Sequence, residues 1–299
     1  MSTTRGKSHA GFVRRVGSRA KDFILGRDSR KIVFRAQGCG LANRLRALVG
    51  YQALARLHKL PFYLTWTADP FCPSEFRDLF DSPINLMYPQ ALRSVSPRAI
   101  YQEAISFENI WKRWGMGIDW VTYLREVHDC LRALTPQLEL AEKVAEFHHR
   151  HSLSDAIGVH IRNTDNLATY AEWMKHSSDF DPKQISTVAG FIDVIGANIR
   201  SHPVFLATDD PELENTLKQR FPALITFPKT YDLTKLRATP MEVALSEMWL
   251  LGRCHQVVGT YYSSFSKFSA IWGRVPYFEV IGDQIKRSKS IDRLISTSE

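Results

Sequence analysis

Gly158-Val159-His160-Ile161-Arg162-Asn163-Thr164-Asp165-Asn166 decides how this chain folds. Residues 156–161 form an apolar, partly β-branched run too brief for a helix, which predicts a buried strand. The polar cluster behind it stands at the strand's carboxyl end, where open α/β sheets place their ligands. Arg162 sits at the transition, fixed by the strand and facing an anion in front. The alternative is an Arg–Asp pair that stitches the loop to the sheet edge. The segment alone leaves both readings open.

Outward from that strand, β-type and α-type segments alternate almost throughout, which predicts a doubly wound α/β architecture. Residues 32–36 read as a first strand that runs into Gln37-Gly38-Cys39-Gly40-Leu41-Ala42-Asn43. From Asn43, Leu45, Leu48, Val49, Ala53 and Leu57 recur at helical spacing and predict one buried face. Pro61 ends that helix, and residues 62–66 form the next strand. Residues 85–134 resist a clear reading, being rich in aromatics (Tyr101, Phe107, Trp111, Trp114, Trp120 and Tyr123), and are assigned to the first domain. A helix over 136–151 leads to the second half. There, strands over 156–161, 204–207, 224–227 and 256–259 alternate with helices over 184–200, 211–220 and 241–253. A last helix ends at Trp272. The expected organisation is a basic tail over 1–30 and two Rossmann-like domains, 31–150 and 151–299.

A chain of 299 residues has room for two such cores. With 44% hydrophobic and 23% charged residues it is composed like a soluble globular protein. No apolar run approaches the roughly 20 residues that cross a bilayer. The basic start lacks the continuous apolar core of a secretory signal. It reads as a solvated tail, the alternative being a weak helix whose Phe12, Val13, Val16, Phe23, Ile24 and Leu25 touch a membrane surface. Cys39, Cys72, Cys130 and Cys254 are scattered without CxxC or metal-ligand spacing, as reduced, mostly buried thiols of a cytoplasmic protein are. The net charge of +8 comes without RNP, zinc-module or helix-turn-helix signatures, so nucleic acid is not the expected partner. A phosphorylated small molecule, or peripheral contact of the basic termini with the inner face of a membrane, accounts for it with fewer assumptions.

Three more motifs bear on chemistry. Gly38 and Gly40 suit positive φ, and the helix behind them aims its amides at whatever sits in the turn. The turn is neither GxGxxG nor a Walker sequence, and alone it reads as a tight strand-to-helix connection. In Phe205-Leu206-Ala207-Thr208-Asp209-Asp210-Pro211, one aspartate is expected to cap the following helix. The other is left to accept hydrogen bonds from a base N–H or a sugar hydroxyl. No acidic or histidine cluster accompanies them, so no metal site is assigned. In Gly259-Thr260-Tyr261-Tyr262-Ser263-Ser264-Phe265-Ser266, hydroxyls and first-turn amides suit phosphate oxygens, and N-capping by Ser263 or Ser264 is compatible with that. There is no GxSxG elbow for a hydrolase serine.

In this order, GCGLANR, HIRNTDN, ATDDPE and GTYYSSFS resemble the GDP-fucose-dependent fucosyltransferase superfamily, over about residues 32–279. That superfamily includes rhizobial nodulation, core α- and protein O-fucosyltransferases. The resemblance implies a GT-B-like fold, two Rossmann-like domains facing a cleft, with the donor held mainly by the second. It implies inverting, metal-independent transfer from GDP-fucose, with no cofactor, to a saccharide or glycolipid acceptor. By the same resemblance Arg162, in the motif that begins with His160, contacts the diphosphate. Gly40 and Asn43 match an N-terminal turn facing the cleft. Asp209 or Asp210 contacts the guanosine, Ser263, Ser264 and Phe265 line phosphate and base, and Glu247 falls where relatives carry an acidic residue. The chemistry agrees: a nucleoside diphosphate must leave, so the main task is to stabilise its developing charge. The departing sugar has oxocarbenium character.

Two departures matter. Core-type relatives carry a second Arg and a later Lys where this chain has Asn163 and Asn166. Their acceptor-side carboxylate has no counterpart, as Tyr170 lies about there. Glu172 and Asp165 are the nearest candidates for a general base, with Glu172 preferred. The acceptor is therefore expected to differ from that of the core enzymes. The aromatics over 111–123 read mainly as core, with some free to line the acceptor side. The rival readings are transfer from another nucleotide sugar, and a non-catalytic nucleotide- or glycan-binding protein of the same fold.

Overall fold

The computed structural model describes residues 31–163, 185–235 and 238–296. The N-terminal half is built on β1 (Ile32–Ala36), α1 (Leu41–Leu57), β2 (Phe62–Trp66) and β3 (Ile100–Tyr101), a parallel sheet in the order β2-β1-β3. Ile32 to Ala36 pair in register with Phe62 to Trp66. A short helix α2 (Phe76–Leu79) follows β2, and α3 (Phe107–Trp114) and α4 (Trp120–Arg132) pack against α1. Both have clear starts: Ser106 accepts from the Asn109 amide and Asp119 from the Thr122 amide.

The later part of the region that resisted sequence reading is therefore mostly helical, and its rings are structural. Tyr123 is fully buried, Trp111 and Trp120 lie 5.2 Å apart, and Trp114 sits 5.4 Å from Tyr51 of α1. Helix α1 departs from the expected single buried face. It starts at Leu41, and residues on every side of it are buried, Ala42, Arg44, Ala47, Tyr51 and Ala55 among them. It is sandwiched between its own sheet and helices of both halves, so an all-round apolar surface suits it better than a stripe.

Helix α5 (Leu138–Arg150) leads to β4 (Ile157–Ile161), followed by α6 (Val188–Asn198), β5 (Val204–Thr208), α7 (Pro211–Arg220), β6 (Ile225–Thr226), α8 (Met241–Leu251), β7 (Gln256–Thr260) and α9 (Ser264–Gly273). This helix is not the last element, as the sequence reading expected it to be. The chain adds β8 (Tyr277–Ile281), β9 (Gln284–Arg287) and α10 (Lys289–Ser296). Strand β9 turns back antiparallel on β8 across Gly282-Asp283, with Gly282 at a φ of 59° that the tight connection requires.

The second sheet has the order β6-β5-β4-β7-β8-β9. Counted within this half the order is 3-2-1-4-5-6, that of a Rossmann sheet, and its direction reverses between β4 and β7. Every residue of β4 and β5 is buried, as strands covered on both faces must be. One face packs on α6 and α7 through Val159, Ile161, Val194, Leu206 and Leu217. From the other face Phe205, Val257 and Tyr277 meet α8 and α9, and the same apolar cluster continues into α1 and β1. Gly259 lets α9 approach β7: a Cβ there would lie 2.2 Å from Ser266 Oγ.

Candidate functional site

The carboxyl ends of β4 and β7 are adjacent, with His160 registered opposite Gly259. They are tied by side chains as well. Thr260 Oγ1 donates to the His160 carbonyl at 3.2 Å and accepts from the Arg162 N–H at 2.9 Å. Arg162 thus leaves the sheet at the point where strand order reverses, directly beside the hydroxyl-rich turn that opens α9.

In that turn Tyr262 adopts a left-handed φ of 60°, and Ser263 occupies the N-cap position. Its side chain makes no capping hydrogen bond, so Ser263 leaves the first-turn amides of α9 uncapped. Helix dipole and open amides make such an end receptive to an anion. Ser263 is buried, whereas Ser264 and Phe265 are half-buried. The His160 ring stacks on Phe265 with centroids 4.7 Å apart. His160 Nδ1 is buried without a hydrogen-bond partner. Burial drives the His160 pKa down to about 3 against the pull of Asp209, so the ring is neutral near pH 7.

The two aspartates divide their work. Asp210 caps α7, accepting from the amides of Glu212 and Leu213, and its other oxygen accepts from Asn163 Nδ2 at 2.6 Å. Asp209 pairs with Arg162 Nε at 3.1 Å and accepts from the Asn163 N–H at 3.0 Å. The Arg162–Asp209 pair that the sequence left as an alternative therefore exists. Its side chains remain 20% and 18% exposed, which keeps the guanidinium at the crevice surface rather than inside the protein.

Glu247 is placed otherwise than its sequence position suggested. On α8 it is buried, in an ion pair with Lys229, instead of lying open to the crevice. Lys229 also pairs with Glu214 at 2.8 Å and donates to the Thr208 carbonyl at 3.2 Å. Tyr231 completes the group by donating to Glu214 at 2.8 Å. Burial opposes the Lys229 charge, but the carboxylates outweigh it and raise its pKa above the ordinary value. One cation cannot fully neutralise two buried carboxylates, and burial raises the Glu247 pKa to about 7 despite Lys229. Lys229, Glu214 and Tyr231 were not singled out from the sequence. The only signal was a lysine soon after a short strand, Phe227-Pro228-Lys229, at the sheet's carboxyl edge.

In the N-terminal half Gly38 takes a φ of 65°, but Gly40 does not share it. Gly40 is extended, φ −71°, at the N-cap position of α1, again with no side-chain cap. Asn43, in the first turn, accepts from Arg46 at 3.0 Å. Arg44 is fully buried and staples the turn. It donates to the carbonyls of Cys39 at 2.8 Å and Thr67 at 2.7 Å and pairs with Asp69 at 2.5 Å. Burial works against the Asp69 charge, yet the Gly38 N–H and Arg44 outweigh it and hold the carboxyl below its usual range. The two base candidates, Asp165 and Glu172, lie outside the described residues, as does the tail over 1–30. Among the described residues no helix is long and apolar enough to cross a membrane.

No protein-family model matches the chain. Over 141 residues it is 28% identical to Nodulation protein Z of Sinorhizobium fredii (strain NBRC 101917 / NGR234). That match covers 42% of each protein, so it spans under half of this curated relative. Among solved structures, the NodZ alpha-1,6-fucosyltransferase co-crystallized with GDP superposes with a TM-score of 0.55 at 15% identity, over 87% of this chain and 99% of that one. The same enzyme soaked with GDP-fucose gives a TM-score of 0.57 at 15% identity, with the same coverage. The fucosyltransferase NodZ from Bradyrhizobium gives 0.56 at 14%, again over 87% and 99%. The fold is GT-B-like, that of these fucosyltransferases, and the partial sequence match to the nodulation protein agrees with the resemblance read from the four motifs.

Proposed function

We propose that this protein is an inverting glycosyltransferase that moves fucose from GDP-fucose to a saccharide or glycolipid acceptor. The observation that carries the reading is the bond from the Arg162 N–H to Thr260 Oγ1. It fixes a guanidinium-bearing residue beside an uncapped helix end at the switch point of a Rossmann sheet. The relatives were studied with GDP and GDP-fucose.

In this site an acceptor hydroxyl attacks the anomeric carbon of fucose, and the bond from that carbon to the β-phosphate oxygen breaks. Charge grows on the departing GDP, and Arg162 with the α9 amides meets it. These groups supply the positive potential that a metal ion would otherwise bring. Asp209 orients Arg162 through their ion pair, and Asp210 is committed to capping α7, so Asp209 is the aspartate better placed for the guanosine ribose or base. Ser263, Ser264 and Phe265 line phosphate and base. Gly40 and Asn43 close the cleft from the other half. His160, neutral near pH 7, packs and donates or accepts a hydrogen bond without carrying charge. The proton of the acceptor hydroxyl goes to a carboxylate, for which Glu172, with Asp165 second, is the assigned residue.

Calorimetric titration with GDP, UDP and ADP tests the donor: tightest binding of GDP is expected, and equal binding of all three points to another nucleotide sugar. Mass spectrometry of products from GDP-fucose and pooled glycans tests transfer. GDP binding with no transfer across a broad acceptor panel leaves a non-catalytic binding protein. The exposed basic strand β9, with Lys286 and Arg287, is assigned to contact with an anionic bilayer, which co-sedimentation with anionic vesicles checks.

A further inference from the structure

The N-terminal half holds a cation that the donor site above does not use. Arg46, on the second turn of α1, donates from Nη2 to Asn43 Oδ1 at 3.0 Å and to the Ala104 carbonyl at 3.0 Å. Its Nε is buried with no hydrogen-bond partner. Among the described residues no carboxylate pairs with it, which is costly for a largely buried charge.

The nearby acids are spent elsewhere. Asp69 is held by Arg44 and by the N–H groups of Gly38, Phe71 and Cys72. Glu103, beside Ala104, pairs with Arg113. The side chains of a helix point back toward its N-terminus, so the guanidinium lies over the first turn of α1. There the Asn43 and Arg44 amides donate to the Gly40 carbonyl, while Gly40 has no side chain to cap the Leu41 and Ala42 amides; Asn43 Oδ1 is taken by Arg46, which leaves its side-chain N–H groups to meet a ligand.

We infer that Arg46, with the Asn43 side chain and the Leu41 and Ala42 amides that Gly40 cannot cap, forms a second oxyanion site that takes a phosphate or carboxylate group of a substrate. The naming of that substrate rests on the glycosyltransferase reading; the oxyanion chemistry does not. Two sources fit: the diphosphate of the donor, reached across the cleft from Arg162, or an anionic substituent on the acceptor. Arg44, two residues earlier on the helix, cannot serve, since it is fully buried on the stapled side of the turn.

The test is calorimetric titration of the full chain with inorganic phosphate, alone and saturated with GDP, for the parent, Arg46→Met, Arg46→Lys and Arg162→Met. If the group belongs to the acceptor, phosphate binds in the presence of GDP. Arg46→Met then weakens that binding at least about tenfold, Arg46→Lys restores part of it, and Arg162→Met leaves it unchanged. If the group belongs to the donor, GDP displaces phosphate. Arg46→Met then weakens GDP at least about tenfold while guanosine binds as before. Either pattern upholds the site. Parent-like binding of both phosphate and GDP by a folded Arg46→Met overturns it and makes Arg46 a strut to the Ala104 loop. A parent that binds phosphate through Arg46 but shows no preference for GDP sinks the fucosyl donor and leaves this site standing.

Discussion

Two Arg–Asp pairs, one in each half, do opposite work. Arg44 and Asp69 meet at 2.5 Å with Arg44 wholly buried, and the same guanidinium reaches the backbone of Cys39 and Thr67. Arg162 and Asp209 meet at 3.1 Å with each side chain about a fifth exposed. Residue types are alike and both pairs flank a strand-to-helix turn. What separates them is burial: the inward pair, with its donors spent on carbonyls, holds a loop, whereas the outward pair stands partly exposed at the crevice surface. Distance between the charges alone would have ranked Arg44 above Arg162 as a candidate for binding.

The comparison breaks most easily at Arg44. Arg44→Met leaves buried carbonyls without their donor and Asp69 without its counter-charge, and a loss of about 3–5 kcal/mol is expected in urea unfolding. A change under about 1 kcal/mol would remove the staple assignment. Arg162→Ala is expected to do the reverse. Unfolding free energy stays within about 1 kcal/mol, as for a partly exposed pair, while transfer falls by about 10²–10³-fold or more. Unaltered turnover in that variant removes the central assignment.

The C-terminal edge also buries two carboxylates, Glu214 and Glu247, against the single Lys229, and pH sharpens its difference from the N-terminal edge. Glu247 has a folded pKa of about 7 against 4.5 for the ordinary carboxyl, so the folded state holds its proton more tightly. Its contribution is present below about pH 4.5 and is lost as pH rises to about 7. His160 runs the other way: its folded pKa of about 3 means stability is lost as pH falls below about 6.5. The two slopes oppose each other between about pH 4.5 and 6.5. Replacing Glu247→Gln removes one of them, so the parent should weaken relative to the variant between about pH 5 and 7. Parallel curves would show Glu247 ionised throughout.

The smallest effect concerns the open helix end. Ser263→Ala removes a hydroxyl that makes no cap, so stability should move by less than about 0.5 kcal/mol while GDP binding weakens about 2–10-fold. Ser106→Ala, at a working cap on α3, should cost about 1 kcal/mol in stability and nothing in GDP binding.

Much of this fold was legible in the sequence because strands covered on both faces advertise themselves as short apolar runs. The boundaries of β1 and β2 were read to the residue, and β4, β5 and β7 to within one. Strand β3 was not legible: at two residues, Ile100 and Tyr101, it has no periodicity to detect. The β8–β9 hairpin did carry a signal, an apolar run from Tyr277 to Ile281 followed by Gly282-Asp283, which went unread. At the candidate site, the turns at Arg162, Asp209 and Ser263 stood out because polar clusters interrupt strand ends. Lys229 and Arg46 did not. A single basic residue in a loop or on a helix looks solvated until tertiary packing buries it, and only then does its missing or doubled counter-charge become visible.

Helices α8 and α9 lie between the two sheets, and one apolar cluster runs from β7 through them into α1 and β1. Two lobes welded in this way should melt together, as a single calorimetric peak rather than two. Rotating one lobe against the other would tear open the largest apolar cluster among the described residues.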